Sequence, residues 1–341
     1  MSKKILVTGG CGYIGSILVF MLLEKGYKVK VFDKLYFGDE SLKRIRNKIE
    51  LIPGDIRNFD PKILDGIDSV VHLGGLSNDP TAAFDPKANY SINFDGTVKL
   101  AQACKSKGIQ RFTFASGCAV YGFFADGIAT EDTSANPQSD YAKSKLDAEI
   151  ALIQMADKNF CPVILRQGTV FGLSPRMRWD LVVNAFVMQA FKTKRLEVLY
   201  GGEAWRPVVN VNDVAKAHIC CLEAEPDKVR GQIFHVVYGN YRVLEMAHRV
   251  RSSLKQMGID ADVDVNYDKS DNRSYQVSNK KLTETIGFTP RVSMEEGAKE
   301  IAAAIQNGEC RDFDHPIYYN LPWMKLLIEV EERLQKTGRV L

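Results

Sequence analysis

A tyrosine and a lysine one helical turn apart are the residues of this 341-residue sequence best suited to proton chemistry. Tyr141 and Lys145 lie in a segment with helical patterning, so both side chains project from one face of the helix. An ammonium group beside a phenol stabilises the phenolate, and a bound oxidised nicotinamide adds further positive charge. Together these charges can lower the pKa of the phenol from about 10 towards neutrality. The pair therefore indicates a general base that removes a hydroxyl proton, and the alternative is an ordinary surface pair.

The N-terminal segment predicts the element that would hold the partner of this base. A short apolar strand runs into Gly9, Gly12 and Gly15, and a helical pattern follows. Glycines at these steps permit a tight turn and close approach of a pyrophosphate to the helix N-terminus. Asp33 closes the next strand, where a carboxylate binds the adenosine ribose hydroxyls and repels a 2′-phosphate. This pattern predicts NAD rather than NADP, although the neighbouring Lys34 weakens the preference.

Strand and helix patterns alternate through the first half of the chain. Continuous apolar runs, such as the one at 69–73, are typical of parallel strands covered on both faces. The predicted strands are 4–8, 28–33, 49–53, 68–73, 111–115 and 161–166, with helices near 13–25, 87–107 and 139–158. This alternation predicts an α/β fold with a Rossmann-type doubly wound parallel sheet.

The pattern loosens after about residue 170, where prolines punctuate shorter elements. We therefore expect an NAD-binding Rossmann domain over 1–170. A smaller C-terminal substrate-binding lobe should occupy 171–310, with interspersed segments, and a helical tail should occupy 311–341. The tail has its own helical pattern at 324–336.

Composition excludes several classes of protein. The net charge is +3, and no basic block or aromatic-interleaved stripe suggests nucleic acid. The longest apolar run, 17–23, is too short to cross a membrane, so we expect a soluble cytoplasmic protein. The seven cysteines include no Cys-x-x-Cys motif, which favours reduced thiols, and the five histidines show no metal-ligand spacing.

The chain resembles the extended short-chain dehydrogenases/reductases of the NAD-dependent sugar-nucleotide epimerase/dehydratase family. The resemblance covers roughly residues 4–300 and rests on the glycine motif together with six further motifs. These are GDIR at 54–57, HLGG at 72–75, NFDGT at 93–97, VYG at 120–122, YAKSK at 141–145 and WRPVVNVNDV at 205–214.

The resemblance implies a role for each matching position. Asp55 and Ile56 would hold the adenine, Leu73 and Gly74 would run beside the cofactor, and Asn93 would fix a helix near the active site. The cofactor-binding set it implies is Gly9, Gly12, Tyr13, Ile14, Gly15, Asp33, Lys34, Asp55, Ile56, Leu73, Gly74, Gly75, Asn93, Ser116, Tyr141 and Lys145.

Polar residues after later strands are candidate substrate ligands. The resemblance points Arg206 at the diphosphate of a sugar nucleotide, which suits a guanidinium fork. The full set is Ser77, Asn78, Asp79, Thr169, Arg178, Arg206 and Arg273, with Arg176 and Asp180 as further candidates. The alternatives are surface ion pairs for Arg206 and Arg273 and a simple turn at 78–80.

One position departs from the family pattern. The family places Ser or Thr four residues before the tyrosine of the VYG motif, and this chain has Gly117 there. Ser116 lies one residue early, and one step along a strand reverses the direction of a side chain. Cys118, the other neighbour, is a poor hydrogen-bond donor. Ser116 and Cys118 therefore remain candidate catalytic residues beside Tyr141 and Lys145, with Ser77, Thr169 or a water as other replacements.

The same segment bears on the reaction. Relatives that eliminate water carry one or two carboxylates just after the Ser/Thr, whereas this chain has Cys118 and Ala119, which disfavours a 4,6-dehydratase. The resemblance implies a nucleotide-diphosphate sugar oxidised at C4 by tyrosine-assisted hydride transfer to NAD. We expect a 4-epimerase, and the alternative is a 4-dehydrogenase or ketoreductase without hydride return.

Two further expectations concern alternatives and assembly. A remote alternative is a non-catalytic NAD-binding regulator, which should have lost Tyr141 or Lys145. By resemblance, the helices near 87–107 and 139–158 pair across a two-fold axis, so we expect a homodimer.

Overall fold

A computed structural model describes residues 2–268, 273–310 and 312–338. The strands of this part of the chain are β1 Lys4–Thr8, β2 Lys28–Asp33, β3 Ile49–Pro53, β4 Ser69–His72, β5 Arg111–Gly117, β6 Phe123–Ala129, β7 Cys161–Gln167, β8 Thr169–Phe171, β9 Arg195–Val198, β10 Trp205–Asn210, β11 Ile233–Val236, β12 Gly239–Arg242, β13 Asp262–Val265 and β14 Ser274–Val277.

The α-helices of the same residues are α1 Tyr13–Glu24, α2 Asp79–Phe84, α3 Pro86–Tyr90, α4 Gly96–Ser106, α5 Asp140–Met155, α6 Val182–Lys192, α7 Val211–Glu223, α8 Pro226–Val229, α9 Val243–Lys255, α10 Lys280–Ile286, α11 Met294–Gln306 and α12 Asn320–Thr337. A π-helical turn, Ser91–Asp95, joins α3 to α4. The predicted helix near 87–107 is therefore three consecutive helical segments.

Seven strands form one parallel sheet in the order β3-β2-β1-β4-β5-β7-β11. The strand order reverses between β1 and β4. In open α/β sheets, ligands bind beyond the carboxyl ends of the strands at this type of switch point. The sheet confirms the predicted Rossmann-type α/β fold and locates the region in which a site should form.

Helices cover the sheet on both faces, which explains its continuous apolar strands. On one face, α1 and α7 pack against alternate residues of the central strands, including Ile5, Val7 and Val71. On the other face, α4 and α5 pack against the opposite residues, including Leu6 and Val70. Both sets of strand side chains are almost fully buried.

A second lobe forms on smaller sheets. Their orders are β12-β10-β8, β13-β9 and β14-β6. Helices α6, α9 and α11 pack over a separate apolar core that includes Phe171, Trp179 and Phe186. The division of the chain at 170 and 310 stays a prediction. Two elements after residue 170, α7 and β11, return to the large sheet and complete it.

The tail helix α12 packs against the body of the protein. Met324 joins the apolar cluster on the α4–α5 face of the sheet. Trp323 donates a hydrogen bond from Nε1 to the carbonyl oxygen of Tyr36, in the loop after β2. Helix α12 begins four residues earlier than the sequence pattern predicts, at Asn320, because Asn320 is anchored by partners distant in sequence.

None of the helices described is both long and apolar enough to cross a membrane. The described chain brings together no group of three or more His, Cys, Asp or Glu side chains suited to a metal ion.

Candidate active site

The glycine-rich turn between β1 and α1 leaves no room for side chains at two positions. A Cβ atom at Gly15 would lie 2.1 Å from the Gly9 carbonyl oxygen, and one at Gly9 would lie 2.7 Å from the Gly74 amide nitrogen. At Gly12, an added Cβ would meet one described atom within 4 Å, the Gly9 oxygen at 3.2 Å. The turn therefore packs tightly at its two ends and opens a cradle in its middle.

This cradle fits the phosphates of a dinucleotide. Gly12 caps α1 without a side-chain hydrogen bond, so the first N–H groups of the helix remain for an anion. Tyr13, Ile14 and the three glycines of the motif line one continuous cavity with Asp33. The fold therefore brings these predicted cofactor-binding residues together around one cavity.

Asp33 closes β2 at the edge of this cavity. Its carboxylate accepts hydrogen bonds from Cys11 N at 2.9 Å and from Leu35 N at 2.8 Å. Burial raises the pKa of the carboxyl group, and these two N–H groups lower it. The loop is thus shaped around the carboxylate that would receive the ribose hydroxyls.

Asp55, Ile56 and Lys34 form the neighbouring wall. Lys34 Nζ lies 3.4 Å from Asp55 Oδ2, and Arg57 donates to both oxygens of the same carboxylate, at 3.0 and 2.6 Å. The hydrogen bonds from Arg57 lower the pKa of Asp55 to about 2. Lys34 is therefore already paired with a carboxylate of the protein, which weakens its ability to attract a 2′-phosphate.

The loop after β4 passes between the two halves of the cavity. Leu73, Gly74 and Gly75 line it, whereas Asn93 is fully buried beneath them. Asn93 accepts from Leu76 N at 2.8 Å and donates to Leu76 O at 3.0 Å. These two hydrogen bonds tie the loop after β4 to the π-helical turn that contains Asn93.

Tyr141 and Lys145 project from the first turns of α5 into the same cavity. Ser139 caps this helix through its hydroxyl, which accepts from Ala142 N at 3.1 Å. Lys145 Nζ donates to the Ala115 carbonyl oxygen at 3.0 Å and lies 6.0 Å from the centre of the Tyr141 ring. The two side chains therefore lie near the carboxyl end of β5 and line the same cavity as the glycine-rich turn.

The charges around this pair differ from the sequence expectation. Burial raises the pKa of the Tyr141 phenol above its usual range, Asp79 raises it further, and Arg178 lowers it. Burial lowers the pKa of Lys145 to about 8, with Glu149 acting in the opposite direction. On balance the protein raises the phenol pKa, because burial of the ring outweighs the charge of Arg178 and because Lys145 directs a hydrogen bond to Ala115.

Three consecutive residues beside Tyr141 have different orientations. Ser116 donates its hydroxyl to the buried carboxylate of Glu149, and Cys118 donates from Sγ to the Arg166 carbonyl oxygen at 3.3 Å. Both polar groups are thus engaged away from the phenol. At position 117 the family pattern has a serine or threonine hydroxyl. A Cβ atom added to Gly117 would lie 3.7 Å from the Tyr141 hydroxyl oxygen.

Ion pairs line the predicted substrate end of the cavity. Arg178 donates to both oxygens of Asp180, at 2.8 and 3.0 Å, and to Ser77 Oγ at 3.2 Å. Arg273 forms an ion pair with Asp79. Asn78 caps α2 by accepting from Thr81 N at 3.0 Å, and its Nδ2 donates to Asp180 Oδ2 at 3.2 Å.

Arg206 and Thr169 complete the predicted substrate set. Arg206, almost fully buried on β10, donates to the Trp205 carbonyl oxygen at 2.8 Å and to the Arg273 carbonyl oxygen. Thr169 opens β8 and lines the cavity. Together with the cofactor loop, these residues enclose a volume of about 840 Å³.

The amino-acid sequence matches a known protein family, in agreement with the site described above. The model of the NAD dependent epimerase/dehydratase family matches residues 5–236. The chain belongs to this family. Membership confirms the resemblance inferred from the motifs and the prediction of NAD as the cofactor.

The relatives of this chain within the family are named for different reactions. A putative UDP-glucose 4-epimerase of Methanocaldococcus jannaschii is 28% identical over 313 residues, covering 89% of this chain and 98% of that protein. A UDP-N-acetyl-alpha-D-glucosaminuronate decarboxylase of Bacillus cytotoxicus is 27% identical over 318 residues, covering 88% and 97%. The solved UDP-glucuronic acid 4-epimerase from Bacillus cereus, in complex with UDP-glucuronic acid and NAD, has a TM-score of 0.77 and 26% identity, covering 89% and 99%.

The sequence alone did not predict one part of the candidate site of this chain. The segment before and at the start of α12 lines the cavity through Tyr319, Asn320 and Pro322. Asn320 donates from Nδ2 to Ser77 Oγ at 2.8 Å and from its backbone N to Asp180 Oδ2 at 3.2 Å. Its partners lie 140 and 243 residues away in the chain, and no local signal indicates such contacts.

Proposed function

We propose that this enzyme is an NAD-dependent 4-epimerase of a nucleotide-diphosphate sugar. The proposal rests above all on one observation, namely that Tyr141 and Lys145 line the same cavity as the glycine-rich turn. A proton acceptor and a dinucleotide cradle on one cavity suit the oxidation of a ring hydroxyl. The 4-epimerases among its relatives support C4 as the reacting carbon.

Each side chain then has a task. When bound, NAD would supply a hydride acceptor for the carbinol carbon and a hydride donor for the ketone. Tyr141, as the phenolate that the Lys145 ammonium and the positive charge of bound oxidised nicotinamide would stabilise, accepts the hydroxyl proton and donates it back. Lys145, protonated below a pKa of about 8, supplies positive charge beside the phenol and a donor for the nicotinamide ribose. Arg206 and Arg273 would bind the diphosphate, and Ser77, Arg178 and Thr169 would orient the sugar.

A 4-dehydrogenase or ketoreductase is the second candidate, and Gly117 favours it. Gly117 offers Tyr141 no serine or threonine hydroxyl that could relay the proton to and from the substrate oxygen when the ketone presents its other face to the hydride. An enzyme that transfers hydride in one direction needs only one such proton transfer. Release of the ketone would then end the reaction.

A 4,6-dehydratase finds less support in the side chains. The positions of its acid and base hold Cys118 and Ala119, and Cys118 is buried against Arg166. The carboxylates of the cavity near the sugar, Asp79 and Asp180, are held in ion pairs with arginines. A paired carboxylate is poorly placed to take up a proton.

The experiment is a product assay. Purified protein with NAD is incubated with UDP-, GDP-, dTDP- and CDP-hexoses, and products are identified by mass and NMR. An unchanged mass with an inverted C4 centre supports the epimerase. Loss of two hydrogens indicates the dehydrogenase, loss of water indicates the dehydratase, and NAD binding without any conversion indicates a regulator.

The homodimer also remains a proposal. Exposed apolar side chains, Tyr90 on α3 and Ile150 and Ile153 on α5, lie on helices that contact each other. They would be covered if the two helices of each protomer paired across a two-fold axis. Sedimentation equilibrium at micromolar concentration tests this, and a mass of one chain contradicts it.

A further inference from the structure

Arg176 is a buried cation without a carboxylate partner. It lies in the loop between β8 and α6, is 7% exposed and lines the cavity. It forms no ion pair with a described residue, and its Nε has no hydrogen-bond partner within the described part of the chain. A buried guanidinium in this state is costly unless an anion compensates its charge.

The loop that carries Arg176 is attached to the start of α1. Tyr13 donates its hydroxyl to the Gly172 carbonyl oxygen at 2.6 Å. Ser174 donates to the Tyr13 carbonyl oxygen at 2.7 Å and lies 3.1 Å from Ser16 Oγ. Arg176, two residues further on, is thereby held beside the helix N-terminus that faces the dinucleotide cradle.

The orientation of the guanidinium is fixed from two other sides. Its carbon lies 3.7 Å from the centre of the Phe37 ring, in the loop after β2. Its Nη2 donates to Asn320 Oδ1 at 2.7 Å. The ring and the amide together hold the side chain in one place, which lowers the entropy that a ligand contact would cost.

The neighbouring carboxylates do not neutralise this charge. Asp180 is occupied by Arg178, and Asp33 accepts backbone N–H groups. Burial lowers the pKa of Arg176 to about 9, Arg178 lowers it further, and Asp180, Tyr13 and Asp33 raise it. The charge is therefore available to an anion in the cavity.

We propose that Arg176 binds the pyrophosphate of the dinucleotide together with the α1 N-terminus, with Asn320 as a positioning residue. This role differs from the sugar contact expected from the sequence. It rests on the proposed function only in requiring that the cavity binds NAD. The pyrophosphate is favoured over a 2′-phosphate because Asp33 stands at the ribose.

The test measures binding by the full-length protein and needs no turnover. Isothermal titration compares NAD, ADP-ribose and adenosine on the native protein and on Arg176→Met, which keeps contact with Phe37. Losing a charge-assisted hydrogen bond should weaken NAD and ADP-ribose about tenfold to a hundredfold and leave adenosine unchanged. Equal affinity of the two proteins for NAD overturns the proposal.

Thermal unfolding separates ligand binding from a structural role. Removing an uncompensated buried charge should leave the unfolding temperature of the ligand-free protein unchanged or raised. The additional stabilisation by saturating NAD should decrease. A variant that unfolds earlier without ligand, yet gains as much from NAD as the native protein, shows that Arg176 is structural and overturns the proposal.

Further variants and ligands sharpen the result. Arg176→Lys keeps the charge but loses the planar fork, so it should weaken NAD several-fold and less than Arg176→Met. Asn320→Ala should also weaken NAD several-fold without affecting adenosine. If Arg176→Met impairs NADP binding and spares NAD, the phosphate contacted is the 2′-phosphate and the proposal is wrong. If no sugar is converted but NAD affinity still depends on Arg176, the proposed function fails and this inference holds.

Discussion

The cofactor end of the cavity is lined mainly by backbone groups, whereas the substrate end is lined mainly by charged side chains. At the cofactor end, the glycine-rich turn and the first N–H groups of α1 expose the backbone to the cavity. Only a few side chains, such as Asp33, line the cavity beside them. At the substrate end, charged side chains meet as ion pairs. Arg178 pairs with Asp180 within one loop, and Arg273 pairs with Asp79 across the fold.

This difference has a consequence for recognition. A backbone cradle is preorganised, because the fold fixes it before any ligand arrives. Arginines that already hold carboxylates must share or exchange their hydrogen bonds when a diphosphate binds. We therefore expect cofactor binding to resist most single side-chain changes, with Arg176 as the exception, and substrate binding to depend strongly on them.

The largest effect is expected at Tyr141, where the two ends meet. Tyr141→Phe removes the proton acceptor and should lower kcat by at least about a thousandfold, within the range of general acid–base catalysis. Affinities for NAD and sugar nucleotide should stay within a few-fold of native, because neither end loses its own contacts. Steady-state kinetics and titration calorimetry measure both, and turnover at the native rate would refute the tyrosine mechanism.

Gly12→Ala tests the open backbone of the cofactor end. Its added Cβ has one described neighbour within 4 Å, so the methyl group enters the cradle rather than the core. NAD should bind about fivefold to a hundredfold more weakly, as for a steric cost of about 1–3 kcal/mol. Unfolding of the ligand-free protein should be little changed, and unaltered NAD affinity would show that the pyrophosphate lies elsewhere.

A matched pair at Gly117 tests how the substrate end serves Tyr141. Its backbone is extended, with φ −146° and ψ 149°, and accepts any residue. Gly117→Ser places a hydroxyl near the phenol and should raise kcat for 4-epimerisation up to about tenfold, as for a hydrogen bond to a charged group. Gly117→Ala adds nearly the same volume without the hydroxyl and should give no gain. A fall with both variants would show that the substrate occupies this space.

The pH dependence should be smaller and one-sided. The Lys145 ammonium is present below its pKa of about 8 and is lost as the pH rises through that value. The value of kcat/KM should therefore fall about tenfold for each unit above that pKa. Lys145→Arg stays protonated, so any activity it retains should lack this decline. A native profile that is flat up to pH 9.5 would contradict the assignment.

The sequence predicts the cofactor end better than the substrate end, for a physical reason. Gly9, Gly12, Gly15 and Asp33 lie close together in the chain, and local backbone geometry determines what they do. Six of the seven strands of the large sheet agree with their predicted ranges to within two residues at each end, and the seventh, β11, has no predicted counterpart. Residues such as Asn320 and Phe37 act through contacts across the fold, and no sequence spacing encodes them.

The phenol pKa illustrates the other limit. The Tyr141–Lys145 spacing correctly placed both residues on one helix, but it could not show where Lys145 directs its proton. That hydrogen bond goes to Ala115, on a strand that the local pattern treats as independent of the helix. Electrostatics therefore required the assembled structure, whereas the side-chain juxtaposition did not.

The return of the chain to the large sheet bears on how the protein can be divided. Every residue of β7 is buried, and β11 covers its outer edge through the pairing of Ile164 with Ile233. A fragment ending at residue 170 would leave that edge exposed, and an uncovered apolar edge strand promotes aggregation. The large sheet is completed only after nearly half of the second lobe has been synthesised. The two lobes should therefore melt together in a single cooperative transition, and neither should persist as an autonomous folding unit.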